Sequence, residues 1–215
     1  MIYIKKGQEP KSLTEYKKKI GASYAGLETE CKDDIRKSLL HEQGNLCAYC
    51  MQRISENAMK IEHWIPEEKL TDYERLNYNN MLGCCYGHEK DTKSSELTCD
   101  SNRKSEKLTI DPRDATLISL IKYNTLTGEI YSDNEEINKD LNKTLNLNSK
   151  TYFLKENRKA VYDEFIRIMC KRKKSGTWSN GDLRKIYQHY LSRDDKGNLK
   201  EYCGIVLWYL ENRIR

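Results

Sequence analysis

Long apolar runs are missing from this sequence. None approaches the roughly 18 residues that a bilayer-spanning helix requires. With 37% hydrophobic residues and a mean hydropathy of −0.89, the chain reads as strongly hydrated, not membrane-embedded. The opening stretch MIYIKKGQEP has no apolar core after its charges, so no secretory signal is expected and a cytoplasmic location is. Neither sign of charge dominates: 38 Lys+Arg stand against 33 Asp+Glu, a net charge of +5 mixed along the chain. Such a balance tolerates a polyanionic partner without requiring one. Internal repeats and long disordered tracts are also absent. That leaves 215 residues for one domain with appendages or two small ones.

Cysteine, by contrast, is plentiful. Eight cysteines in a reducing compartment need a reason other than disulfides, and C-x2-C spacing points to metal. Five of them fall within residues 47–104, together with two of the four histidines. Cys47 and Cys50 form a knuckle that lets two thiolates meet one tetrahedral ion. One of the Cys84/Cys85 pair, preferably Cys85, and Cys99 complete a four-coordinate set, with His88 as the alternative to Cys99. A closed site of this kind binds zinc structurally, because no position remains for water or substrate. Cys31, Cys170 and Cys203 sit singly in helical apolar patterns and are expected in the core.

Periodicity supplies the elements. Residues 12–40 alternate at three- and four-residue spacing and read as helix, with a break near Gly21-Ala22. Residues 60–66 read as a short strand stopped by Pro66, and 80–82 as its return strand. Residues 86–98 look like an exposed insertion, followed by a short helix after Cys99. A hairpin is expected from 117–123 and 129–131 around Thr127-Gly128. Helices follow at 134–145, 149–172, 182–192 and 202–214. The expected organisation is an arm with helices over 1–45, a zinc-stapled core over 46–113, and a hairpin with helices over 114–215. The class is α+β.

His63 stands in the expected strand with Glu62 beside it. Phosphodiester hydrolysis needs an activated water, charge neutralisation at the phosphate and stabilisation of the departing oxygen. A neutral imidazole supplies the first, and a hard divalent ion held by carboxylates supplies the other two. Neighbours on a strand point to opposite faces, so Glu62 and His63 converge on one phosphate only at a strand end or a distortion.

C-x2-C, an acidic-His pair, Asn80-Met-Leu leading to cysteine, and a second cysteine before a polar helix together resemble the HNH endonuclease motif with its ββα-metal fold. The resemblance implies His63 as general base, Glu62 as the acidic ligand of a catalytic Mg2+ or Mn2+, and Asn80 as the asparagine that fixes the histidine loop. It places Asp100 as the third site residue, with Asn102 as the alternative. Arg103 and Lys104 fall where a phosphate-contacting lysine is common. Glutamate at 62 and aspartate at 100 both depart from the usual residue types. Over the longer span, IKKGQEP, LLHEQGNLCAYC, IDPRD and LNLN are similar to the PtuB-like nucleases of Septu and retron-associated anti-phage systems. That resemblance implies a PtuA-like ATPase partner of the ABC/SMC type and a role as the complex's DNA-cutting effector.

RNA, including tRNA, is an alternative substrate, since such a site does not by itself choose the sugar. A non-catalytic zinc knuckle that binds nucleic acid or protein needs the cysteines but not Glu62, His63 and Asn80 together. A cysteine nucleophile is disfavoured by the knuckle spacing. The run Lys171 to Lys174 is either a docking or phosphate-tracking patch or a solvated helix end.

Overall fold

The computed structural model describes residues 1–88, 93–172 and 177–214. Lys173 and Lys174 of the basic run, and residues 89–92 of the expected insertion, lie outside the described residues.

An extended arm leads into helix α1 (Lys11–Tyr16) and, after a turn-rich stretch, α2 (Thr29–Gln43). The break between them is wider than Gly21-Ala22 alone. The arm is held by Lys6, whose Nζ bonds Glu42 Oε2 of α2 at 2.7 Å and the Met81 carbonyl at 3.1 Å. Helix α2 ends because Gly44 takes a left-handed conformation (φ 60°), where a side chain is strained and glycine is not.

Strands β1 (Lys60–His63) and β2 (Met81–Cys84) pair antiparallel, Lys60 opposite Cys84 and His63 opposite Met81. The strand reading is confirmed but β1 stops at His63 rather than Pro66. The connection winds through short 3-10 turns at Glu67–Lys69, Glu74–Leu76 and Tyr78–Asn80. Helix α3 (Cys99–Arg103) follows, then α4 (Ala115–Ile118). The second hairpin, β3 (Lys122–Tyr123) with β4 (Ile130–Tyr131), is shorter than expected. Leu117 and Ile118 are helical because Asp114 caps that turn, accepting from the backbone of Thr116 and Leu117.

Helix α5 (Glu135–Lys139) is capped by Asn134 and continues as a π turn over Asp140–Thr144. Helices α6 (Leu154–Arg172), α7 (Asn180–Leu191) and α8 (Gly204–Glu211) complete the chain. Helix α6 buries Leu154, Phe165 and Met169 along one side. Cys170, expected in the core, is exposed, since it lies one step of about 100° round the helix from buried Met169. Cys31 and Cys203 are buried as expected. The molecule is thus mixed α and β, with two small antiparallel sheets among helices. One buried apolar cluster takes residues from all three expected regions, from Met1 to Leu210. Among the described residues, no helix is long and apolar enough to cross a membrane.

Candidate metal centre and carboxylate pair

The knuckle is built by the chain reversal that follows α2. The Cys47 amide bonds the Gln52 carbonyl at 2.9 Å, and the Met51 amide bonds Cys47 O at 3.1 Å, with Met51 in the left-handed region. Gln43 fastens this turn to β2. Its Nε2 donates to Leu46 O at 2.7 Å and Gly83 O at 2.8 Å, while its Oε1 accepts from Gly83 N at 2.7 Å. Arg53 reaches the Leu199 carbonyl at 2.6 Å, so the C-terminal segment braces the knuckle from behind.

The other two thiols arrive by a close crossing. Beyond β2 the chain turns at Gly87 (φ 69°), and Thr98 N donates to Gly87 O at 2.8 Å. A Cβ at Gly87 would stand 2.0 Å from the Thr98 carbonyl oxygen. Only glycine permits this approach, which brings Cys99 opposite Cys85.

Cys47, Cys50, Cys85 and Cys99 are all buried, with their sulfurs within 4.8 Å of one another. Cys47 Sγ lies 3.9 Å from Cys99 Sγ, and Cys50 Sγ lies 3.8 Å from Cys85 Sγ. A tetrahedron with Zn–S bonds of about 2.3 Å separates its sulfurs by about 3.8 Å. The four thiols therefore fit a metal such as zinc. Burial pushes the Cys50 and Cys99 thiols well up, and the neighbouring Cys47 adds to it. Burial opposes charge at Cys47 as well, but hydrogen bonds from Cys50, Cys84, Cys85 and Cys99 hold it well below the usual thiol range. A bound dication removes this competition by stabilising every thiolate at once.

Of the sequence alternatives, Cys84 is buried beside Cys47 but outside the four-thiol group. His88 is exposed, its Nδ1 3.5 Å from Ser101 Oγ, and also lies outside the group.

Next to this centre, β1 and α3 bring carboxylates together. Lys60 and Glu62 share one face of β1, and both meet α3. Lys60 Nζ bonds Asp100 Oδ2 at 2.5 Å and Ser101 Oγ at 3.0 Å. Glu62, 7% exposed, contacts Arg103 Nη1 directly and accepts from Tyr49 OH at 3.3 Å. Burial, then a hydrogen bond shared with Asp100, pushes the Glu62 carboxyl up to about 9, outweighing the pull of Arg103. Burial also disfavours charge on Asp100, but hydrogen bonds from Glu62 and Lys60 hold it below the usual range. The surroundings thus favour the acid form at Glu62 and the charged form at Asp100, with Arg103 and Lys60 alongside.

Arg103 corrects an expectation. The resemblance puts it at the nucleic-acid surface, yet it is 1% exposed. Its guanidinium is spent on Glu62, Tyr49 OH, the carbonyls of His63 and Trp64, and Glu106 O. Lys104 is exposed just beyond it. Asn102 turns away from the pair, its Nδ2 bonding Lys143 O at 2.7 Å and Thr144 O at 3.0 Å. Of Asn102 and Asp100, it is Asp100 that stands beside Glu62.

His63 lies on the face of β1 opposite Glu62 and is 3% exposed. Its Nε2 donates to the Arg75 carbonyl at 2.7 Å. Nδ1 has Glu67 Oε1 at 3.0 Å but makes no aligned hydrogen bond. The Tyr24 ring packs edge-on against the imidazole, centroids 4.6 Å apart. Asn80 grips the chain just beyond: its Oδ1 accepts from Ile65 N at 2.8 Å and its Nδ2 donates to Ile65 O at 3.1 Å.

Sequence reasoning missed Lys60, Tyr49, Glu67 and Tyr24. Lys60 had a signal, two residues from Glu62 on the same strand face; Tyr24 had none. Comparison of the chain with protein-family models and with curated proteins finds no match.

Proposed function

We propose that the chain is an HNH-type, metal-dependent endonuclease that hydrolyses DNA phosphodiester bonds around a structural zinc, with RNA as the alternative substrate. The observation that carries this reading is His63. One ring nitrogen is anchored on a backbone carbonyl and the other is buried without an aligned partner. A buried polar atom left over in this way needs a role, and an imidazole anchored through one nitrogen is what proton abstraction from water at the other requires once Glu67 leaves it open.

The remaining residues support it. Glu62 and Asp100 are suited to a hard divalent ion, which typically takes one or two carboxylates and keeps several waters. When bound, such an ion supplies neutralisation of phosphate charge. Glu62 and Asp100 would hold it, and binding there would require Glu62 to give up its proton and Asp100 its contact with Lys60. Asn80 keeps the backbone after His63 in place, and exposed Lys104 is available to a phosphate. The similarity to PtuB-like nucleases adds the expectation of a PtuA-like ATPase as partner, with this chain as the cutting subunit of an anti-phage complex.

A second reading, a non-catalytic zinc knuckle, draws on the same site: Arg103 and Lys60 already partner Glu62 and Asp100. The two separate by experiment. The chain, alone and with its neighbouring ATPase, is incubated with plasmid DNA and total RNA in magnesium or manganese. A nuclease cuts only with the divalent ion and loses cutting on His63→Ala while zinc content and fold persist. Loss of fold or zinc on that substitution makes His63 structural instead.

A further inference from the structure

Two side chains from different parts of the molecule close over His63, Glu67 at its Nδ1 and Tyr24 against its ring. Glu67 comes from the turn after β1, with its Oε1 3.0 Å from Nδ1. Tyr24 comes from the stretch between α1 and α2, its ring at 85° to the imidazole. Tyr24 is itself largely withdrawn from solvent, and burial, then Glu67, pushes its hydroxyl up to about 12.

The two pieces differ from the rest of the site in how they are held. The backbone hydrogen bonds of residues 17–28 are local: Ala22 to Lys19, Gly26 to Ser23, Leu27 to Tyr24. Its side chains do the same, Tyr16 OH to Ser23 O and Lys19 to Glu28. Leu27 is its buried anchor, while Ile20 in the same stretch is fully exposed. Glu67 is about half exposed, so its carboxylate has room to swing. By contrast, the groups that orient the imidazole and the following chain, the Arg75 carbonyl and Asn80, are tied into the 3-10 turns and β2. Segments secured by local contacts open at lower free energy than a core does.

We propose that residues 17–28 and Glu67 form an autoinhibitory cap on His63, with Tyr24 as its plug. The inference rests on the nuclease reading for its consequence but not for its test. In this state the position in front of Nδ1 that an attacking water must take is filled by the Glu67 carboxylate, with the Tyr24 ring packed against the imidazole beside it. Activation therefore requires the 17–28 stretch to lift and Glu67 to turn outward, leaving the Arg75 and Asn80 anchors undisturbed.

The test measures access to the ring directly. Diethyl pyrocarbonate acylates free imidazole nitrogens, and the exposed His41, His88 and His189 serve as references within each molecule. Rates are read residue by residue by peptide mass spectrometry on the full, zinc-loaded chain. In the wild type His63 reacts far more slowly than the references. Tyr24→Ala raises its rate several-fold with the references unchanged, whereas Tyr24→Phe, which keeps the ring, does not. Glu67→Ala is a surface change that spares the core, and it raises the rate as well. An unchanged His63 rate in both Tyr24→Ala and Glu67→Ala overturns the cap; should Tyr24→Ala unfold, Glu67→Ala alone decides. Cleavage is measured in parallel. Faster acylation together with faster metal-dependent cutting supports both readings. Faster acylation with no cutting of DNA or RNA keeps the cap and removes the nuclease.

Discussion

Asn80 holds the backbone of Ile65 in both directions, accepting its N–H and donating to its carbonyl through one side-chain amide. This single residue fixes where the chain goes after His63, because Trp64 N also bonds the Asn80 carbonyl at 2.9 Å. Asn80→Asp keeps the size and the acceptor but turns the donor into a second oxygen facing Ile65 O. Asn80 is buried, so the unmade bond costs on the order of 1–3 kcal/mol. Urea denaturation should show that loss with zinc content unchanged. A variant as stable as the wild type would mean the loop is held by other contacts.

The metal centre makes a sharper prediction, because two adjacent cysteines have different fates. Cys85→Ala removes one of four thiols, and the chain should lose stoichiometric zinc and much of its stability, as a strong chelator should cause in the wild type. Cys84→Ala should keep its zinc and lose about 1 kcal/mol, the ordinary cost of a small buried deletion. Elemental analysis of the two purified variants decides it; equal zinc loss would make the ligand set wrong.

The carboxylate pair sets a pH dependence. Burial pushes the Glu62 carboxyl up to about 9 in the fold, from the ordinary 4.5 of the unfolded chain. Between those values the folded state binds more protons than the unfolded one, so this residue's contribution is full below 4.5 and is lost as pH rises toward 9. Glu62→Gln, which carries a permanent neutral carboxamide, should flatten the decline in denaturation free energy over pH 5–9, where pH 5 and 9 mark roughly the ends of the titration. For the same reason, divalent binding at the pair should release a proton and tighten as pH rises. Calorimetry in two buffers of different ionisation enthalpy measures that release.

Legibility from sequence followed how local the determinant was. Cys47 and Cys50 were readable because C-x2-C fixes its own geometry, and Cys99 because it opens a short polar helix. Choosing Cys85 over Cys84 required knowing where β2 ends, since neighbours on a strand face opposite ways. The Asn80 clamp was readable only through the HNH pattern. Tyr24 was not readable at all: it reaches His63 across 39 residues of chain, through packing that leaves no trace in spacing. The hairpin at 117–123 was misjudged because a local Asp114 cap outcompeted β propensity in Leu117 and Ile118.

Arg103 shows how residue type misleads, and it makes the last test. An arginine after a metal-binding helix turn reads as a phosphate ligand, yet here its side chain is fully buried against Glu62. Removing the guanidinium leaves Glu62 and the carbonyls of His63, Trp64 and Glu106 without their donor, and a buried acceptor left unmade typically costs about 1–3 kcal/mol. Arg103→Met should therefore destabilise the chain by at least about that much, even though methionine fills most of the volume. Toward pH 9, where Glu62 ionises, the loss should grow, and adding Glu62→Gln should recover that added part, a coupling that a surface phosphate ligand would not show. Denaturation of the two singles and the double closes the cycle. If Arg103→Met instead weakened nucleic-acid binding while leaving stability untouched, Arg103 would be a substrate contact and the burial found here would belong to a closed state only.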